Sequence, residues 1–490
     1  GHYDGGNHTI HNMKLDFVQW SVKPTGTTLG TLDSKAKGDI YKGFIGVLAP
    51  MGTLKNLRIA ADCSLQFAGY SGAFVGYSYG SVDNCRNYAD VTNYRTTAGG
   101  IVGASVEGSS VTNCFNAGHV RCGSETAGGI VADAQGTVAN CQNVGTVEVC
   151  VLSKFKTSLS GLRTAGGIAG KALGATISNV VNAGTVSVGA DAAGGIVGAN
   201  NSNAAVATNN VITGAVNYGT VFAAKLAGTG AISGKSGNAG PVKAVYFDSQ
   251  VTGLNAEAND ANRDMSALTS AQLTSGKAID GLDAAVWQFE AGRYPVLKQF
   301  AGEPLAQAAA QGVLSIGDGQ DARHITGNAT LSSAEGTTWK LARGSEFGID
   351  GNTLTVPASL TAVKSDTITA TLNGYVKPIA ISAVYALALN GSGTESDPYQ
   401  ISTIDDWNTF GSYITATANP LTGKFVKVMN DIDFSTAAKF QAAAADGVTP
   451  FGGVLLGNGR SFKGLKISTS TRNYGVFGSI GTSATVRDLT

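Results

Sequence analysis

Ala98-Gly99-Gly100-Ile101-Val102-Gly103 returns as Ala127-Gly128-Gly129-Ile130, Ala165-Gly166-Gly167-Ile168 and Ala193-Gly194-Gly195-Ile196. Looser copies, Ser71-Gly72-Ala73-Phe74-Val75-Gly76 and Thr229-Gly230-Ala231-Ile232-Ser233-Gly234, flank the series. The apolar residue at the fourth place recurs at Ile45, Phe74, Ile101, Ile130, Ile168, Ile196 and Ile232, a spacing of 27 to 29 residues that widens to 38 and 36. So short a period cannot enclose its own core. Each unit must bury its apolar face against its neighbours, which makes the first half of the chain a solenoid.

The interior of each unit gives the kind of solenoid. A fixed frame comes after the glycine string: Val82-Asp83-Asn84-Cys85-Arg86-Asn87, Val111-Thr112-Asn113-Cys114-Phe115-Asn116, Val138-Ala139-Asn140-Cys141-Gln142-Asn143 and Ile177-Ser178-Asn179-Val180-Val181-Asn182. A third piece closes the unit, as in Val144-Gly145-Thr146-Val147 and Ala183-Gly184-Thr185-Val186. The pieces are short, alternating, rich in β-branched residues and bounded by Gly or Asn, which is strand chemistry with turns between. The expectation is an all-β chain whose first part is a right-handed, three-sided parallel β-helix with three strands per coil. Coils would lie about 4.8 Å apart.

Stacking turns aligned positions into ladders. Leu57, Cys85, Cys114, Cys141 and Val180 are expected to share an inward column. Beside it, Asn56, Asn84, Asn113, Asn140 and Asn179 read as an asparagine ladder at a turn, with amides bonding coil to coil and a left-handed backbone. The paired glycines are expected to supply positive φ and close coil approach. Three cysteines at equivalent places read as small buried apolar groups, and no C-x-x-C pair suggests zinc.

Beyond the repeats the expected boundaries are a β-helix over 1–247, a capping segment over 248–300, a linker over 301–312, a β-sandwich over 313–387 and the start of a second β-helix over 388–490. The cap is read from a short helix with a serine N-cap in Met265–Leu273 and an aromatic plug of Trp287 and Tyr294 over the open end. The sandwich is read from Asp350-Gly351-Asn352 and Asn373-Gly374 between alternating runs. It is taken as Ig-like, without the cysteine pair usual in that class. The second β-helix is read from gapless alignment of Gly453–Ile467 with Gly1–Leu15 and of Gly475–Leu489 with Gly43–Leu57, with a helix near Asp405–Phe410 capping its start. The 490 residues are therefore expected to be a window on a longer tandem array.

Composition narrows the function. Charged residues make up 14% and the formal net charge is zero, against about 25% charged in ordinary domains. Nothing here favours nucleic acid or an anionic membrane, and no apolar run is long enough to span a bilayer. Asp83, Asp90, Asp133 and Asp191 fall at different coil positions, so no recurrent pair of carboxylates suggests a glycosidase or lyase. His2, His8 and His11 align with Val454, Arg460 and Lys463 of the second copy and read as surface. No cofactor or metal is expected.

The Ala-Gly-Gly-Ile-Val-Gly string, the Asn-Cys-x-Asn frame and the closing Gly-Thr-Val resemble the GLUG-motif repeats of bacterial surface and adhesin proteins. Val245–Asp248, Met265–Leu273 and Gly292–Leu297 are similar to the segments C-terminal to such repeats, and Gly391–Ile401 with Asn430–Asp433 to the segments N-terminal to them. The resemblance covers about 1–300 and 388–490. It implies export, display on the bacterial cell surface and adhesion to carbohydrate or a surface protein, without catalysis. A passive spacer is the alternative, and an enzyme of the β-helix type a second one. Candidate contacts lie on the long insertions, where aromatics neighbour cations: Trp20 and Tyr41 in one, and Lys154, Phe155, Lys156 and Arg163 in another.

Overall fold

A left-handed residue at the head of the frame, asparagine in five coils, sets the path of the chain there. Asn56, Asn84, Asn113, Asn140 and Asn179 all take left-handed backbone, with φ between 48° and 55°, a region Asn enters at less cost than other L residues. Gly214 and Ala244 continue the column at φ 61° and 52°. The computed structural model describes residues 1–490 except 18–40, 151–162, 190, 201–209, 224–227, 237–239, 255–264, 312–314, 317–321, 333, 343–345, 358–359, 361, 438–439, 441, 446–448, 468–474 and 482–483. Those residues form two compact units: 1–323 with 329–355 and 366–381, and 324–328 with 356–365 and 382–490.

The first unit is built on a parallel β-helix. Its first sheet stacks the frame strands, such as Thr137–Asn143, Thr176–Asn182 and Val211–Asn217. A second sheet stacks the closing pieces, including Val91–Asn93, Val120–Cys122 and Val147–Val149. The glycine string supplies two strands rather than one: Thr97–Gly99, Thr126–Gly128 and Thr164–Gly166 lie in a third sheet, and Val102–Ser105, Val131–Ala134 and Ala169–Ala172 in a fourth. Four strands per coil replace the expected three. The cause is the Gly-Ile pair, where Ile101, Ile130, Ile168, Ile196 and Ile232 turn fully inward and break the strand at a corner.

The glycines before that corner work by close approach, since none of Gly99, Gly100, Gly128 or Gly129 has positive φ. A Cβ on Gly128 would overlap the carbonyl of Val131, and one on Gly129 would meet the carbonyl of Gly167 in the next coil. Vertical register holds along the repeats: Cys141 pairs with Val180 and Val180 with Ala215. The inward column of Leu57, Cys85, Cys114, Cys141 and Val180 is buried, at 2% exposure or less. Thiols of Cys114 and Cys141 donate to the carbonyls of Thr112 and Ala139 at 3.1 and 3.2 Å. The Cys85 thiol is pushed up by its contact with the Cys114 thiol and then by burial, and Cys114 by burial first.

The continuous amide ladder lies three residues along the frame from the expected one. In the left-handed column only Asn84 to Asn56 (2.7 Å) and Asn179 to Asn140 (3.2 Å) bond amide to amide between adjacent coils. The last asparagine of the frame does so without a break: Asn87, Asn116, Asn143, Asn182 and Asn217 are joined by Nδ2 to Oδ1 bonds of 2.8 to 2.9 Å, all fully buried. Each of these amides also donates to the carbonyl two residues on, as Asn143 does to Gly145 at 2.9 Å. Buried amides demand full pairing, and the ladder provides it.

Outward positions of the first sheet include Phe115, Val181 and Val216, which are fully buried. Their cover is the segment after the last coil. Met265–Leu268 pairs with the closing strand Val242–Asp248. Short helices α1 (Ser249–Thr252) and α2 (Ser270–Leu273) flank that pairing, capped by Asp248 and by Thr269, not by the expected serine. Trp287 and Tyr294 do not form the expected plug over the open end; they pack along the side, in one cluster with Phe115, Val181, Val216 and Tyr218. Left in water, that outward column would be a contiguous apolar patch, which this segment covers. Helix α3 (Pro304–Gln311) occupies the expected linker, because its alanines bury against the same cluster and Pro starts it. Arg86 and Glu303, each 11% exposed, pair at 2.5 Å and fasten the end of the cover.

Antiparallel strands complete this unit. Gly348–Asp350 and Thr353–Thr355 form a hairpin, and Thr338–Leu341 pairs with the strand that ends at Leu372. Asn373-Gly374, both with positive φ, turns into the strand from Tyr375. The stretch 313–387 is shared between the two units. Tyr375 donates to the carbonyl of Ala183 at 2.5 Å, and Lys377 lies buried over the rings of Tyr294 and Tyr218 at 5.2 and 6.0 Å.

The second unit repeats the opening of the first. Val454–Arg460 pairs with Thr485–Leu489 through Val454↔Thr485 and Leu456↔Arg487, matching His2↔Thr53 and Asp4↔Lys55, with the bulge at the same place. Left-handed residues match too: Asn458, Gly459 and Asp488 stand where Gly6, Asn7 and Asn56 do. Helix α4 (Ile404–Thr417), started by a Thr403–Asp406 capping box, packs Trp407 and Phe410 into a core with Phe440 and Phe451.

Candidate functional site

In the fourth sheet one outward column runs Val47, Tyr77, Ala104, Asp133, Lys171, Ala199 and Lys235. The neighbouring column of the third sheet runs Tyr41, Tyr70, Thr97, Thr126 and Thr164. Aromatic residues therefore concentrate where the first coils bring the two columns side by side. Tyr41 and Tyr77 approach to 4.6 Å between ring centroids, Tyr41 and Tyr70 to 5.8 Å, and Tyr70 and Tyr77 to 6.4 Å. Tyr79 joins Tyr77 at 5.2 Å and is 44% exposed. Strand backbones hold these rings in fixed columns, where tilted and edge-to-face aromatic pairs add to sheet stability.

Charge near the cluster is sparse and specific. Asp133 stands two coils beyond Tyr77 in the same column. Burial lifts its carboxyl to about 6, Lys171 opposes the shift and Glu125 adds to it. The residue is only partly covered, yet its Oδ1 is shut from solvent and has no hydrogen-bond partner. Tyr70 is raised by burial first and then by Asp133 and Glu125; Tyr77 by burial and then Tyr79. Four phenol rings offer flat apolar faces together with donors and acceptors at their edges.

Of the residues expected as contacts, Tyr41 belongs to this cluster. Arg163 does not: it precedes Thr164, four coils along the column from Tyr41, roughly 19 Å at the usual strand spacing. Its backbone N–H donates to Asp191 at 3.0 Å. Trp20, Lys154, Phe155 and Lys156 lie outside the described residues. Tyr70, Tyr77 and Tyr79 escaped the sequence reading, although the signal was present. Tyr70–Tyr79 is the copy of the glycine string that departs from the consensus, with tyrosine where later coils carry Thr97 and Ala104.

Among the described residues, no group of three or more His, Cys, Asp or Glu is placed to hold a metal ion. Exposed His11 pairs with Asp62 at 3.0 Å, and His2 meets Thr53 at 2.9 Å. No helix among the described residues is long and apolar enough to cross a membrane.

No family model matches this chain. No curated protein matches it either. A crystal structure from Bacteroides ovatus, described provisionally as an immunoglobulin A1 protease, is similar over 60% of this chain and 76% of that one, with 19% identity and a TM-score of 0.37. A likeness so distant carries no argument about activity.

Proposed function

We propose that this chain is a non-enzymatic adhesive segment of a bacterial cell-surface protein, and that its β-helix holds carbohydrate against the face built by Tyr41, Tyr70, Tyr77 and Tyr79. The observation that carries the reading is the continuous ring cluster on consecutive coils, with Tyr79 exposed and Tyr41, Tyr70 and Tyr77 partly exposed, since aromatics grouped on a rigid lateral face suit stacking against sugar rings. The GLUG-like motifs support display at the surface, and the uniform ladders support a stiff scaffold that presents the face.

A glycan array probed with the full chain and with Tyr77→Ala tests it. The wild type is expected to retain one or more glycans that Tyr77→Ala loses by tenfold or more, while the variant keeps the far-UV circular dichroism of the wild type. If no glycan is retained, or retention is the same in the variant, the tyrosine face is not a binding site and the spacer alternative stands.

A further inference from the structure

Helix α4 leaves one polar face unused by the core of its unit. Trp407, Phe410, Tyr413 and Ile414 face inward, while Asp405, Asn408, Thr409 and Ser412 recur at three- and four-residue intervals on another face. That stripe lines an open groove of about 430 Å³ together with Tyr385, Tyr413 and Ala388. The volume falls within the range of small-molecule sites, about 300–1,000 Å³. From Asp405 to Ser412 the stripe is about 10 Å long at the helical rise.

Tyr385 meets Tyr413 at 5.6 Å and 89°, an edge-to-face contact that fixes the half-exposed Tyr385 ring in the wall. Asp405, Asn408 and Thr409 make no side-chain hydrogen bond or ion pair among the described residues. The first-turn amide of Asp406 is already taken by Thr403, and Asp406 reaches back to the N–H groups of Ser402 and Thr403. Three N–H groups at the helix start are thus already paired, Asp405 places a carboxylate beside the rest, and no Lys or Arg lines the groove.

We propose that this groove is a second carbohydrate site, specific for an uncharged oligosaccharide of about two rings. One ring stacks on Tyr385. Asp405 accepts from sugar hydroxyls, Asn408 both donates and accepts, and Thr409 and Ser412 add hydroxyl partners. Sugars bearing carboxylate or sulfate meet Asp405 with no cation to offset it, and are excluded. The site shares no residue with the tyrosine face of the β-helix and stands or falls apart from it.

Ligand-observed NMR on the full chain, with a panel of uncharged gluco-, galacto- and manno-disaccharides and a uronate disaccharide as counter-probe, tests the proposal. At least one uncharged disaccharide is expected to bind with Kd of about 10 mM or tighter. Tyr385→Ala and Asn408→Ala should each weaken it by tenfold or more, while Tyr77→Ala leaves it unchanged. Should Tyr385→Ala lower the melting temperature, the surface change Asn408→Ala decides. Absence of binding across the panel, binding indifferent to Asn408→Ala, or equal competition by the uronate overturns the proposal. Loss of this binding in Tyr77→Ala overturns it too, by assigning the signal to the tyrosine face.

Discussion

Asn143→Ala removes the middle rung of the buried amide ladder. The Asn143 side chain accepts from Asn116 at 2.8 Å and donates to Asn182 and to the carbonyl of Gly145, both at 2.9 Å. Three buried bonds at about 1 kcal/mol each give a loss of about 3 kcal/mol. That is a large share of the 5–15 kcal/mol typical of a folded domain. Asn113→Gly is the contrasting change. It keeps the left-handed backbone open to the new residue and loses one side-chain bond, to Asp83 at 2.7 Å, so its cost is about 1 kcal/mol or less. Urea unfolding followed by far-UV circular dichroism and by tryptophan fluorescence measures both, and coincidence of the two probes checks that one transition is being read. Equal losses in the two variants would refute the division of labour between the columns, in which one bends the chain and the other bonds the coils.

Gly128→Ala should destabilise the β-helix by more than about 3 kcal/mol, because the new methyl overlaps the Val131 carbonyl; soluble protein of wild-type melting temperature would contradict this. Asp133 has its folded pKa raised from 3.8 to about 6, so the stability it permits is full below pH 3.8 and is lost as pH rises through about 6. The loss is at most about 3 kcal/mol, and Asp133→Asn should flatten that part of the pH–stability curve. Lys377 shows the opposite trend: burial lowers its pKa from 10.5 to about 8. Stability should rise by up to about 3 kcal/mol between pH 8 and 10.5, and Lys377→Met should abolish the rise; a wild-type curve flat across that window would show that Lys377 is solvated.

Much of the β-helix could be read in the sequence because its signals repeat. Ile101 and Ile130 mark a corner, Asn84 and Asn113 a left-handed turn, and Cys114 and Cys141 an inward column, each confirmed by its neighbours one period away. What repetition could not reveal is what breaks it. Phe115 and Val181 look like ordinary strand residues, so nothing local announces that their outward faces are covered by Trp287, Phe300 and α3. The amide ladder falls on the second asparagine of the frame rather than the first because both recur equally in sequence; the left-handed backbone of the first and the full burial of the second tell them apart only in the structure. Tyr70 and Tyr77 were hidden for the reverse reason. They are departures from the consensus, and reading for the consensus passes over them.

All four sheets of the β-helix bond each coil to the next, so their hydrogen bonds run along the stacking direction. Tension applied along that direction would part coils one at a time, each rupture loading a single layer, as a zip opens tooth by tooth. The side cover changes this sequence: Arg86 and Glu303 tie an early coil to a segment that begins after the last one. A stretched molecule must therefore peel that strap away before the coils between can yield, while the two coils before Arg86 lie outside it.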